Sequence, residues 1–422
     1  MVLVTITVSL AQTRSEVRAI GDESAPLAAT ASDLYFALSD LDAQVARLVM
    51  INNASDLASN ELDALLTYQR RSAEVDADIE RILAAATSDT DRATARRLLD
   101  QLGLYRQLAW QALAVEQQEQ STAPGVLPPA ALGYYTHATN VLHNELLPTA
   151  KLLRDSSQAA LERSYQDQHT TANWGTTATL LLGGGLVALL IFVQIRLMAR
   201  YRRLVNPLLL PATLITLGLV LSASFVLLDE TDRLQTARSR HFTPYLQLTQ
   251  AQAVSYDAAA DTSRYLLSAN LSNYDNDFHT KSDCLVKGGD CGGGNALPGW
   301  QSSSSGLTQA QRDEVVGRWA GYQRDHEKII EQAQSNQAGL AIDQLTGLRR
   351  GDASFDFFYF DASVSDLAAT RRQAFDAAMA DARGELTGWG ELAGLPVVPP
   401  VLMLAVMVLA AIGMWRRLAE YR

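Results

Sequence analysis

The chain is poor in the residues that most often carry chemistry. It has two cysteines and six histidines in 422 residues. The histidines are scattered, and the segment HNELLP around His143 and Glu145 lacks the spacing of a zinc-binding HExxH. There is no G-x-S-x-G elbow, no GxxxxGK[ST] loop and no Rossmann glycine run. No group of residues carries an enzymatic reading, so the expectation is a non-enzyme with no cofactor and no resident metal. Positive charge is also short: 35 Lys and Arg stand against 46 Asp and Glu, a net charge of −11. No basic stretch is long enough to neutralise a run of phosphates, which excludes nucleic acid as a partner.

What the chain has in quantity is apolar blocks. A helix crossing a hydrocarbon layer of roughly 30 Å needs about 20 apolar residues. Trp174–Met198, Leu208–Leu228 and Leu395–Trp415 meet that length, and they lack the regular polar positions of a soluble core helix. A fourth block, Met1–Ala11, is too short to cross and has no positive n-region of a secretory signal. It reads as the end of a truncated first span that would begin about ten residues upstream. Arg196, at the end of the second span, and Arg200, Arg202 and Arg203, in the link at 199–207, crowd together, and Arg416, Arg417 and Arg422 lie in the tail 416–422. Short Arg-rich loops stay in the cytoplasm. The polar segments 12–173 and 229–394 are therefore expected outside, with Trp174 and Trp415 at the membrane interfaces. Arg200, Arg202, Arg203, Arg416 and Arg417 would form a small basic surface for a cytoplasmic partner or anionic membrane lipid.

The same plan occurs twice. A shift of 217 positions carries Asp40 onto Asp257, Arg47 onto Arg264 and Tyr105 onto Tyr322. A period this long is a duplicated module, not a solenoid repeat. In the first polar segment, Leu27, Ala31, Leu34, Leu38, Leu41, Val45 and Leu48 recur at alternating spacings of three and four, the seam of a helix bundle. Further helices are predicted at Glu61–Ala86, Asp89–Gln120 and Pro129–Gln168, the last kinked by Pro148. The second segment predicts helices at Asp229–Ala269, Thr308–Asn336 and Phe355–Trp389. A Gly- and Ser-rich loop, 273–305, replaces its second helix. The fold class is thus all-α: an integral membrane protein with four transmembrane helices, the first truncated, and two duplicated extracytoplasmic helical bundles.

The loop holds both cysteines, Cys284 and Cys291, in CLVKGGDC. Outside the cytoplasm such a pair oxidises, which would stabilise the short loop by about 2–3 kcal/mol. A metal site there has only His279, Asp275 and Asp277 nearby and is disfavoured. Among charged positions, Asp257, Asp261 and Arg264 share one helical face in YDAAADTSRYLL, and Asp40 with Arg47 repeats the spacing. The plain reading is a solvated salt-bridge face or a clamp between helices. The functional reading is that these residues meet a ligand or partner. Tyr105 and Tyr322 read as packing residues with hydrogen-bonded hydroxyls.

Paired extracytoplasmic bundles held between spans are similar to the sensor domains of bacterial chemoreceptors and sensor kinases. QAQAVSYDAAADTSRYLLSAN (250–270), the two-cysteine loop and FDAAMADARGEL (375–386) resemble actinobacterial membrane proteins of the GlnX type. The resemblance implies a sensor that relays amino-acid availability from an extracytoplasmic solute-binding lipoprotein to a cytoplasmic Ser/Thr kinase. It supplies no ligand residues. Two rivals remain: a structural scaffold of an envelope complex, and an accessory subunit of a transporter. Whether the chain forms a homo-oligomer is left open.

Overall fold

The computed structural model describes residues 2–51, 58–86, 88–119, 127–201, 209–268, 271–292, 296–303, 306–387, 391–392, 395–396 and 398–419. Among these the fold is all-α apart from two short antiparallel hairpins, Gly289–Asp290 with Ala296–Leu297 and Glu391–Leu392 with Leu395–Pro396. The helices, in chain order, are α1 (Val2–Arg18), α2 (Ala25–Ile51), α3 (Ala58–Ala85), α4 (Asp89–Glu119), α5 (Pro129–Val141), α6 (Leu147–Tyr201) and α7 (Leu209–Ala237). They continue with α8 (Thr243–Leu267), α9 (Ser272–Lys287), α10 (Gln309–Gln334), α11 (Ala338–Thr346), α12 (Ala353–Thr387) and α13 (Val398–Ala419).

The chain forms two compact units, and their division does not follow the two polar segments. An apolar unit takes Met1–Ala25, Ala160–Ser239 and Ala374–Arg422, and a polar unit takes Pro26–Ala159 with Arg240–Gln373. The middle parts of the two polar segments expected as bundles at 12–173 and 229–394 fall in one unit, and their ends fall in the other. The reason is visible in α2 and α8. Each is buried on nearly every side over 28–51 and 251–267. A helix rich in Ala, Ser and Leu all round must be covered all round. The expected seam residues Leu34, Leu38 and Leu41 are fully buried, but Asp40 and Asp42, on either side of Leu41, are buried too. Phe36 of α2 meets Tyr256 of α8 edge to face at 5.3 Å, in a cluster with Ala43, Ala260 and Phe357.

Prolines mark a second regularity. Short π-helical turns occupy Ala19–Ser24, Leu142–Leu146 and Arg238–Phe242. Pro26, Pro148 and Pro244 each follow two residues after the turn ends. Proline has no N–H and its ring crowds the carbonyl four residues back, and a widened turn relieves that clash. The N–H of Leu147 bonds the carbonyl of Leu142, five residues back. The predicted kink at Pro148 is thus a π turn placed before the proline, and the predicted helix 129–168 is α5 joined through it to α6.

The apolar unit packs α7 on α13 through Ala212, Leu219, Ala223 and Val406, with Leu186 of α6 against them. A Cβ at Gly183 would collide with Val220 Cγ2, so that glycine permits a close helix contact, whereas Gly184 and Gly185 face open space. Large side chains on the outer faces are exposed, among them Leu181, Phe192, Phe225 and Trp415. Among the described residues two helical stretches, Pro129–Arg196 and Leu210–Leu267, contain a segment long and apolar enough to cross a membrane. The block predicted at Leu395–Trp415 is helical from Val398, because Leu395–Pro396 pairs in a hairpin.

The loop predicted at 273–305 is corrected in its first half. Residues 272–287 form α9. Phe278, Ser282 and Leu285, at i, i+4 and i+7, are buried on one face. Ser282 Oγ accepts hydrogen bonds from Trp319 Nε1 (2.8 Å) and Gln323 Nε2 (2.7 Å) of α10. Phe278, Trp300, Trp319, Tyr322 and Phe360 form an aromatic cluster there. Cys284 and Cys291 are joined in a disulfide. The predicted start of α10 holds: Thr308 and Gln311 make a reciprocal capping box.

Candidate functional site

The repeated acid–arginine pairs line two different cavities of the polar unit. On α8, Asp257, Asp261 and Arg264 fall on one face because they are four and three residues apart. Arg264 Nη1 donates to Asp257 Oδ1 (3.0 Å) and Asp261 Oδ1 (2.5 Å), and Nη2 donates to Asp42 of α2. Lys281 of α9 donates to Asp257 Oδ2 (2.6 Å) and Asp261 Oδ2 (2.5 Å). Tyr105 donates its hydroxyl to Asp42 Oδ1 at 3.1 Å. Three carboxylates (Asp42, Asp257, Asp261) thus face two cations (Arg264, Lys281), a net charge of −1.

This cluster is not a solvated face. Arg264 and Asp261 each expose 2% of their side chains. Burial pushes the Asp257 carboxyl up, but Lys281, His143 and Arg264 outweigh it and hold Asp257 well below the usual carboxylate range. Burial dominates at Asp261 and raises it to about 6, against the pull of Lys281 and Arg264. Burial lowers the His143 pKa, and Arg264 adds to that. An open cavity of about 670 Å³ lies beside the cluster, lined by Asn140, His143, Lys151, Tyr274 and Lys281 among others. The arginine itself is engaged by three carboxylates. Its chemistry is that of a clamp between α2 and α8, the second half of the plain reading.

The pair Asp40 and Arg47 behaves differently. Asp40 does not bond Arg47; it accepts from Arg71 Nε and from Gln44 Nε2 at 2.8 Å. Arg71 also donates to Glu74 (2.6 Å) and lies over the Phe36 ring. Arg47 is left with its Nε and Nη2 buried and without a hydrogen-bond partner among the described residues. Burial lowers its pKa, with Asp63 and Asp40 opposing. It lines a cavity of about 330 Å³ together with Asp63, Tyr256, Tyr322, Phe357 and Asp361. Tyr322 contributes a hydroxyl 3.3 Å from Thr262 Oγ1, so both repeated tyrosines are packed and hydrogen-bonded.

Sequence reading missed two contributors. Asp42 lies two residues from Asp40 in a different direction, and only its burial reveals its role. His326 of α10 is brought to within 3.0 Å of Asp275, with His279 also at hand. Of the arginines expected to form a basic cytoplasmic surface, Arg202 and Arg203 lie outside the described residues, while Arg200 falls in α6 and Arg416 and Arg417 in α13. Parts of the loop, 293–295 and 304–305, also lie outside them.

A family model described as an actinobacterial sensor domain matches residues 16–166. No curated protein and no solved structure matches the chain. The matched stretch contains Asp40, Asp42 and Arg47 and ends before α8 begins. Over that stretch the chain is similar to actinobacterial sensor domains, and the similarity supports a sensor role.

Proposed function

We propose that this chain is an extracytoplasmic sensor and signal-transducing membrane protein that relays amino-acid availability, with a solute-binding lipoprotein as its input and a cytoplasmic Ser/Thr kinase as its output. The observation that supports this most is Arg47, a guanidinium without a described partner at the wall of a cavity. An amino acid carries a carboxylate for a guanidinium and an ammonium for a carboxylate such as Asp63 or Asp361. The cavity, about 330 Å³, falls in the usual size range of small-molecule sites, roughly 300–1,000 Å³. A buried cation without a partner destabilises the empty state, so a ligand that supplies the missing anion shifts the equilibrium by its differential affinity. Helix shifts of about 1–2 Å are the usual scale of such a response. The output would pass through Arg200, Arg202, Arg203, Arg416 and Arg417, or sideways to a membrane partner.

The test is thermal stabilisation of the detergent-solubilised protein against a panel of amino acids and against a solute-binding lipoprotein, combined with pull-down from membranes. Stabilisation by an acidic or amide amino acid, lost in Arg47→Met, supports direct sensing. Stabilisation by the loaded lipoprotein alone places the ligand on the partner. Recovery of a permease only, or of wall-building enzymes only, with no ligand shift, would favour the accessory or scaffold role.

A further inference from the structure

The geometry points to a divalent transition-metal site, suited to zinc, built from Asp275 and His279 of α9 and His326 of α10. The two α9 residues are one helical turn apart on the face that meets α10. Asp275 Oδ1 lies 3.0 Å from His326 Nε2 and 3.4 Å from His279 Nε2. All three ligand atoms lie within 4.8 Å of one another. Zinc–nitrogen bonds of about 2.0–2.1 Å place neighbouring ligands of a tetrahedron about 3.3–3.4 Å apart. The two separations from Asp275 are already near that edge length, and the imidazole pair, within 4.8 Å, closes to it by side-chain rotation at the exposed His279.

The surroundings match what a metal-bound histidine requires. His326 is fully buried, and its ring stacks on Phe278 with centroids 3.5 Å apart at 14°. Its Nδ1 lies 2.9 Å from Thr262 Oγ1, which in turn lies 3.3 Å from the Tyr322 hydroxyl. Donation of Nδ1–H to Thr262 would fix the tautomer that leaves the Nε2 lone pair free for the metal. His279 is 56% exposed and Asp275 26%, so the site opens to solvent on one side. A water would take the fourth position. Two imidazoles with a carboxylate favour zinc and its first-row neighbours over magnesium or calcium, which prefer all-oxygen shells.

The bound ion would fasten α9 to α10. Helix α9 also carries Lys281, two residues beyond His279, which holds Asp257 and Asp261 in the charged cluster. Metal occupancy would therefore fix the wall of the larger cavity. The site shares no residue with the Arg47 cavity, and its test is independent of the amino-acid reading.

Zinc titration of the untagged, full-length protein in detergent, after chelator treatment, tests the site. The expected result is one saturable zinc per chain with a Kd well below about 100 μM, a raised Tm relative to chelated protein, and visible absorption of tetrahedral type on cobalt substitution. His279→Ala, at an exposed position, should keep the chelated protein's Tm and weaken zinc binding by about tenfold or more. Asp275→Asn should weaken it likewise, and magnesium or calcium should produce no Tm shift. Absence of saturable binding, or binding unchanged in His279→Ala, overturns the assignment.

Discussion

Arg264 donates to Asp42 across 222 residues of chain, and both side chains are almost wholly withdrawn from water. The pair ties α8 to α2, the two helices whose ranges a shift of 217 positions superposes. A buried ion pair adds little over a well-packed apolar pair, but removing one partner strands a charge. Arg264→Met should therefore destabilise the protein by about 3–5 kcal/mol, leaving three carboxylates with Lys281 alone. Asp42→Asn in the same background should recover part of that loss. A double-mutant cycle by chemical denaturation reads the coupling, expected at about 1–3 kcal/mol; strict additivity would show that the contact carries no energy of its own.

Arg47→Met separates sensing from stability. Since Nε and Nη2 have no described partner, the substitution removes a desolvated charge without breaking a bond. The Tm without ligand should be unchanged or higher. Any ligand-induced rise should disappear. A large fall in the basal Tm would mean that Arg47 is structural.

Glu116 sets a pH dependence. It is buried on α4, and burial, with Glu61 adding, raises its carboxyl to about 8. Its folded pKa therefore lies above the unfolded one. The stability this group supports is complete below the unfolded carboxylate range and is lost as the pH rises toward 8. Glu116→Gln should match the parent near pH 4 and exceed it at pH 8 by about 2–4 kcal/mol. Melting curves across that range measure the difference, and parallel profiles for the two proteins would refute the assignment.

Gly183 and Gly184 should respond in opposite ways. A side chain at Gly183 collides with Val220, while one at Gly184 meets nothing within 4 Å. Gly183→Leu should cost about 1–3 kcal/mol through overpacking, seen as a lower Tm in detergent. Gly184→Leu should be close to neutral.

Cys284 and Cys291 report compartment. Bonded to each other, they should resist an impermeant thiol reagent on intact cells and react after an impermeant reductant is added. Labelling without reductant, and only after permeabilisation, would place the polar unit inside the cell and remove the receptor reading.

Much of the helix content was legible in sequence. Helices α3, α4 and α10 lie close to the helices predicted from sequence, and α10 starts directly after Thr308, the residue at which its predicted range begins. Helix α9 was hidden because the glycines of GGDCGGG dominate its neighbourhood, although Phe278, Ser282 and Leu285 already keep helical spacing. The grouping of both polar segments into one unit was not legible. Periodicity shows that a helix must be covered, not which distant helix covers it. For the same reason Asp257 and Arg264 looked like surface charges until α2 and α9 enclosed them. His326 lies 51 residues from Asp275, beyond the reach of any local motif.

The widened turns ahead of Pro26, Pro148 and Pro244 have an effect on phase. Each inserts an extra residue into an otherwise regular spiral, and one residue corresponds to about 100° of rotation. Because proline cannot donate an amide proton, the bulge cannot slide downstream along the spiral. Side chains on either side of such a turn therefore answer to separate angular origins. A helical wheel drawn through 129–168 as one cylinder would misplace Lys151 and Leu152 by more than a quarter turn, and shortening Leu142–Leu146 by one residue would swing them away from the larger cavity they line.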